Sequence, residues 1–435
     1  MTEAFGEDES AVQGAKASGG VVLVAIGLGI YGLSTYGYLG IAGQGLGPEL
    51  FAPLSVLWSL LNAVGIGLFL PFEQELGRQT AARRAQGLGN RPVVRQALRG
   101  AVLVLALVAI GSVLGAGVLS TRLFADHLAL VPLLVLAMTG MAASYVVRGL
   151  LSGNGRFTNY GAQLAVDGVL RVGAAWALHA SGVDSLTAFG GVLVVAPVLA
   201  VLLTTPRPSG LVADGPPQRA KVAAAAIGAL VGASVVSQVL ANAGPVIVQL
   251  LANPAERVAS GQFLAALVIA RVPLFLFAAV QAVFLPGLAG LVGRRDLRGF
   301  RRRVGLVGAG TAAIGMVGTV AVWAVGVQLV PLLFGRAFAI DREVITLIAL
   351  SGAAFMLAQV AAQALLALGA ERWVLGGWSA GLGVLAMACL WTGPIAQRAA
   401  WALVAGAITA FVALLAALLR AQGRWRPAPE PTGDV

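Results

Sequence analysis

The sequence predicts an all-α polytopic membrane protein with about twelve transmembrane helices in two six-helix lobes, related by a pseudo-two-fold axis along the membrane normal. Three observations predict it. Its 435 residues are 58% apolar and only 11% charged, with a mean hydropathy of +0.89, far outside the range of soluble domains. Apolar runs of about 20 residues, the length that crosses ~30 Å of hydrocarbon as a helix, recur almost to the C-terminus. Two loop motifs recur six spans apart. Because lipid offers the backbone no hydrogen-bonding partner, such runs are expected to be helices, and they are too continuous for alternating barrel strands.

In chain order the spans are expected at 20–41, 50–71, 99–119, 127–149, 160–180, 185–204, 222–251, 261–288, 304–334, 343–368, 373–393 and 398–419. The start, Thr2 to Ser10, is acidic and lacks the basic leader of a secretory signal, so the first run is expected to be a retained span. Lys and Arg are held on the cytoplasmic side of short loops. With the N-terminus inside, 22 of the 29 Lys and Arg fall inside and 5 outside (Arg122, Arg257, Arg336, Arg342 and Arg398). Both termini are therefore expected in the cytoplasm. The basic stretches Arg78 to Arg99 and Arg294 to Arg303 are explained by this topology and by anionic lipid, and no nucleic-acid partner is implied.

The repeat organises the chain. LPFEQELGRQTAARRA begins at Leu70 and LPGLAGLVGRRDLRGFRRR at Leu285, 215 residues apart. LLSGNGRF begins at Leu150 and LLALGAERW at Leu365, with Gly153 matching Gly369, Arg156 matching Arg372 and Phe157 matching Trp373 at an offset of 216. An even number of spans between copies keeps them in one orientation, which gives parallel lobes. The expected divisions are a cytoplasmic tail (1–19), an N-terminal lobe (20–204), a flexible Pro/Gly/Arg-rich linker (205–221), a C-terminal lobe (222–419) and a second cytoplasmic tail (420–435).

Charges at mid-membrane cost about 2.5–3.5 kcal/mol on insertion scales, so those present are candidate sites. Three are central: Asp167, Arg171 and Arg271. Asp167 and Arg171, four apart in span 5, are placed for a local ion pair that either fixes packing or lines a cavity. Arg271 in span 8 precedes Pro273 and a kink is expected there; its guanidinium either pairs with a distant acid such as Asp167 or meets a phosphate, which its planar fork suits. In span 7, Gln238, Asn242 and Gln249 flank Gly244 and Pro245, which should bend or break the helix. Gln281 in span 8 and Gln359 and Gln363 in span 10 add neutral donors and acceptors, serving as interhelical contacts or as partners for sugar hydroxyls. No Walker loop, metal-binding carboxylate pair or His cluster is present, and the one cysteine, Cys389, cannot form an internal disulfide. A transporter is therefore expected rather than an enzyme, without a cofactor.

Several segments resemble bacterial polysaccharide-biosynthesis membrane proteins, the oligosaccharide flippases of the multidrug/oligosaccharidyl-lipid/polysaccharide (MOP) exporter superfamily. They are GYLGIAGQGLGPELFAPLSVLW (from Gly37), LPFEQELGR, RGLLSGNGRFTNYG (from Arg148), ANAGPVIVQLLA and GQFLAALVIARVPLFLFAAVQAVFLPGLA. The resemblance implies two six-helix lobes rocking about a central cavity lined largely by spans 1, 2, 7 and 8. It also implies that an undecaprenyl-pyrophosphate-linked oligosaccharide crosses the plasma membrane, the diphosphate meeting Arg271 and, less directly, Arg171. Membrane lipids, and a glycan polymerase or glycosyltransferases, are the implied partners. Twelve spans depart from the fourteen common in polysaccharide members. The competing expectations are a multidrug/cation antiporter of the same superfamily, for which embedded carboxylates other than Asp167 are lacking, and a non-transporting scaffold of a glycan assembly complex.

Overall fold

The computed structural model describes residues 3–206, 210–217, 220–253, 256, 258–274, 277, 284, 288, 291–292 and 294–423. These are predominantly helical, without strands. The helices are α1 (Glu3–Leu60), α2 (Gly67–Ala85), α3 (Arg91–Leu114), α4 (Leu130–Gly153), α5 (Phe157–Ala180), α6 (Leu186–Thr204), α7 (Ala220–Leu251), α8 (Ala259–Ala270), α9 (Leu297–Phe334), α10 (Arg342–Ala367), α11 (Glu371–Ala388) and α12 (Ile395–Gly423). Eight stretches among the described residues are long and apolar enough to cross a membrane, and one of them, Val22–Ala85, has the length for two crossings. The most lipid-like surfaces are on α3, with Leu103, Leu107 and Leu114 exposed, and on α9, with Leu306, Met316, Val317 and Val320 exposed. Exposed leucines of this density are stable only against lipid, and the protein is a multi-pass membrane protein.

Helix boundaries follow local chemistry. The reversal expected across 42–49 shrinks to one residue: Gly47 alone leaves the helical region, at φ 68° and ψ 172°, and Pro48 opens the next helical stretch. That backbone conformation is essentially restricted to glycine, and proline is pre-set for a helix start. Span 2 does not end at Pro71. It passes through a π-helical turn, Leu61–Ile66, and continues as α2 to Ala85, because FEQELGRQTAARRA is made largely of good helix formers. Gly87, at φ 68°, then stops it.

The chain divides into two compact units, Met1–Leu46 with Leu68–Ile227, and Gly47–Gly67 with Gly228–Val435. The first part of span 2, up to Gly67, thus packs in the second unit, although the sequence places the whole span in the N-terminal lobe. Within that unit Phe51 is fully buried against Phe334 and Phe338, with ring centroids 5.9 and 5.3 Å away. Each unit relies on close backbone approach. In the first, a side chain on Gly149 would strike the Glu73 backbone, and one on Gly153 would strike Thr80, so α2 and α4 meet without intervening side chains. In the second, Gly381 of α11 approaches Gly406 and Ala410 of α12 in the same way.

The LLSGNGRF and LLALGAERW motifs form the same turn. Gly155 (φ 70°) and Gly369 (φ 68°) take the left-handed conformation after α4 and α10, with Arg156 N donating to Leu151 O and Ala370 N to Leu365 O. Equivalent positions are therefore 214 apart, so Gly155, not Gly153, corresponds to Gly369. The linker between the lobes is also not a free tether over its described part. Leu211 O accepts from Asn90 Nδ2, Arg91 N donates to Ala213 O, and Arg91 pairs with Asp214. Gly89 and Gly215 lie backbone against backbone, an approach only glycines permit.

Candidate functional site

In the second unit the polar residues of spans 7 and 8 assemble into a chain of hydrogen bonds. Helix α8 is interrupted at Arg271, whose φ of −98° and ψ of 3° leave the helical region before 272–274 resume it. Pro273 explains the interruption: it lacks the N–H that would continue the ladder, and its ring disfavours helical geometry just upstream. A side chain on Gly318 would collide with Pro273, so α9 lies directly on the interruption. There the Arg271 guanidinium donates through Nη1 to Asn242 Oδ1 at 2.8 Å. Asn242 is buried and its amide donates to Gln238 O at 3.0 Å and Gln238 Oε1 at 3.3 Å. Asn242 is uncharged, so this bond orients the guanidinium without being an ion pair.

The remaining predicted residues are distributed differently. Gln249 accepts from Ser260 Oγ at 2.8 Å, tying α7 to the start of α8. Gln359 and Gln363 are four apart on α10 and half-buried, and Gln363 Oε1 is buried without a hydrogen-bond partner among the described residues. Gln281 lies outside the described residues. Of the bend or break expected at Gly244 and Pro245, the break is absent: α7 is continuous from Ala220 to Leu251, with Pro245 inside it. Gly244 instead makes room for a neighbour, since a Cβ there would sit 2.4 Å from the Phe263 ring and 3.2 Å from Leu403. The glycine is a close-packing position for α7, α8 and α12.

In the first unit, Asp167 and Arg171 form the ion pair their spacing predicts. Both carboxylate oxygens accept from the guanidinium, at 2.8 and 3.0 Å, and both residues are buried. The Arg171 guanidinium also lies 5.2 Å from the Tyr31 ring centre. A bidentate pair of this kind satisfies its own charges and orients the groups rigidly.

A second buried ionic cluster in this unit escaped the sequence reading. Arg148 donates through Nε to Glu73 Oε2 at 2.8 Å, Tyr160 donates its hydroxyl to Glu73 Oε1 at 2.6 Å, and the Arg148 guanidinium sits 4.2 Å over the Tyr145 ring. It joins α2, α4 and α5. The sequence places Glu73 in the loop after span 2 and Arg148 at a span end. The available signal was that both, with Tyr160, fall within the motif strings that carry the family resemblance.

No family model matches the chain. It is similar to uncharacterized proteins of Mycobacterium bovis and Mycobacterium tuberculosis, each 31% identical over 178 residues. The match covers 39% of this chain and only 39% of the length of those curated relatives. Among solved structures, an inward-facing multidrug resistance MATE family transporter of the MOP superfamily matches with a TM-score of 0.65 over 93% of this chain and 98% of that one, at 15% identity. An outward-facing one matches with 0.61 over 94% and 96%, at 15% identity. A MOP superfamily transporter from Pyrococcus furiosus, described as having a binding pocket of reverse polarity that suggests a different function, matches with 0.60 over 93% and 95%, at 15% identity. The chain therefore has the all-α fold of these transporters, twelve membrane helices in two lobes.

Proposed function

We propose that this chain is a transporter of the MOP superfamily that flips an undecaprenyl-pyrophosphate-linked oligosaccharide across the plasma membrane by alternating access, with both termini in the cytoplasm. The observation that carries the reading is Arg271, a cation placed by a neutral amide at a helix interruption. In the sequence it is the one charged residue within the interior of spans 7–12. A positive charge in that position favours an anionic group and disfavours the organic cations that many drug exporters would carry. Arg271 binds diphosphate oxygens bidentately; Gln238 and Asn242 position it; Gln249, Gln281, Gln359 and Gln363 offer donors and acceptors to sugar hydroxyls. Asp167 and Arg171, neutralised by each other on one helix, serve packing of that helix beside Tyr31 rather than substrate binding. Points of flexure are proposed at Gly47 and at the Arg271–Pro273 interruption rather than at the close-packed Gly244 and Pro245. Glycan polymerase or glycosyltransferases are the proposed partners.

A second reading, export of drug-like solutes, is favoured by the multidrug resistance transporters that share the fold. The two separate in proteoliposomes offered a fluorescent polyprenyl-diphosphate oligosaccharide and, in parallel, cationic dyes under proton and sodium gradients. Head-group flipping without dye movement supports the glycan reading. Gradient-driven dye movement without flipping replaces it with the second.

A further inference from the structure

The sequence has two basic stretches on the side that charge bias assigns to the cytoplasm, and the structure treats them differently. In the first, four guanidinium groups are hydrogen-bonded or ion-paired within the protein, although Arg78 and Arg84 remain exposed. Arg78 bonds Glu75, Arg83 donates to Gly89 O and Pro216 O, Arg84 donates to Asn154 O, and Arg91 pairs with Asp214. Arg95 and Arg99 stay exposed on α3. In the second, Arg294, Arg295, Arg298, Arg301, Arg302 and Arg303 are all exposed. Arg301 Nε reaches the neutral Gln422 Oε1 at 3.3 Å, and Asp296, the acid in the stretch, spends an oxygen on capping α9 at Gly299 N. Topology accounts for the sign of both stretches and not for this difference.

The second cluster also lies at the foot of a lipid-facing stripe. Arg298, Arg302 and Leu306 follow one another at four-residue spacing on α9, and the same face continues through Ala313 to Val317 and Val320. Leu306 is 64% exposed, Val317 69% and Val320 57%. From Leu306 to Val320 the helix rises by about 20 Å, the reach of an acyl chain lying along it. A cationic head site at one end of an exposed apolar track is complementary to one class of molecule, an anionic amphiphile.

We infer that the Arg294–Arg303 cluster binds the phosphate head group of an anionic phospholipid of the inner leaflet, with the acyl chain on the Leu306–Val320 face. The site is separate from Arg271 and does not depend on what is transported. The test uses the full chain in uncharged detergent, titrated with phosphatidylglycerol, phosphatidylcholine or inorganic phosphate, with bound lipid read by native mass spectrometry. The wild type should prefer phosphatidylglycerol over phosphatidylcholine. R298Q/R302Q/R303Q should weaken that binding on the order of 10–100-fold while eluting as the same monodisperse species, and R95Q/R99Q should retain most of it. Equal binding of the two lipids, or an unchanged preference in the triple variant, overturns the inference. Displacement of phosphatidylglycerol by an equal concentration of inorganic phosphate overturns it in favour of a free-phosphate site.

Discussion

Removing the Glu73 carboxylate should be among the most damaging single changes outside the proposed transport site. In Glu73→Ala the Arg148 guanidinium stays buried, with side-chain exposure of 9%, and loses its counter-ion. Breaking one side of a buried pair costs about 3–5 kcal/mol, because the remaining charge cannot reach water. Tyr160→Phe deletes only one of the hydrogen bonds to Glu73 and should cost about 0.5–1.5 kcal/mol. The charge term therefore outweighs the hydrogen-bond term. For a unit of about 200 residues these values correspond to a drop in thermal midpoint of roughly 6–20 °C for Glu73→Ala and roughly 1–6 °C for Tyr160→Phe. Replacing both charges, as in E73L/R148M, should recover most of the loss, since an apolar pair of similar volume has no unpaired ion to bury. Tryptophan fluorescence melts of the detergent-solubilised protein compare the three variants with wild type. A Glu73→Ala shift no larger than that of Tyr160→Phe, or a double variant as unstable as the single one, would refute the assignment of this cluster as a closed ionic clamp.

Other outcomes follow from glycine and amide geometry. Gly244→Leu should destabilise by about 1–3 kcal/mol through collision with Phe263, read as a lower melting midpoint, with Gly244→Ala less severe. Gly47→Ala meets no atom within 4 Å but must adopt φ 68° and ψ 172°, so its loss of about 1–3 kcal/mol is purely conformational, and no compensating core substitution nearby should restore the midpoint. Asn242→Asp places a carboxylate 2.8 Å from the Arg271 nitrogen and should leave the midpoint unchanged or raised while head-group flipping falls at least tenfold; unchanged flipping would separate Arg271 from substrate. Arg271→Lys keeps the charge without the fork, and its flipping rate should lie between wild type and Arg271→Ala.

The fold was legible because its cause is compositional. Continuous apolar runs admit only helices in lipid, and their number sets the span count. Boundaries were less legible, since hydropathy marks where apolar runs end and not where the helix does: α2 runs on to Ala85, on good helix formers and on packing of Glu73 and Thr80 against α4 that hydropathy does not register. At the candidate site, the Asp167–Arg171 pair could be read from four-residue spacing, a local rule. The Arg271–Asn242 bond spans 29 residues, and each partner was identified singly without any local rule to join them. Glu73 and Arg148 are 75 residues apart and lay hidden at presumed span ends, where charge is ordinary. Gly244 shows the converse: a Gly-Pro pair reads as a helix breaker, and only tertiary packing reveals that the missing side chain is filled by Phe263.

The role of Arg271 is tested most directly by head-group flipping in proteoliposomes, with a fluorescent undecaprenyl-diphosphate oligosaccharide scored by quencher access for wild type and Arg271→Ala. Equal reconstitution and melting midpoints establish that both proteins are folded. Flipping by wild type and its loss in Arg271→Ala is the predicted result. Equal flipping by both, or none by a folded wild type, contradicts the assignment of Arg271 as the diphosphate-binding residue of a lipid-linked glycan flippase.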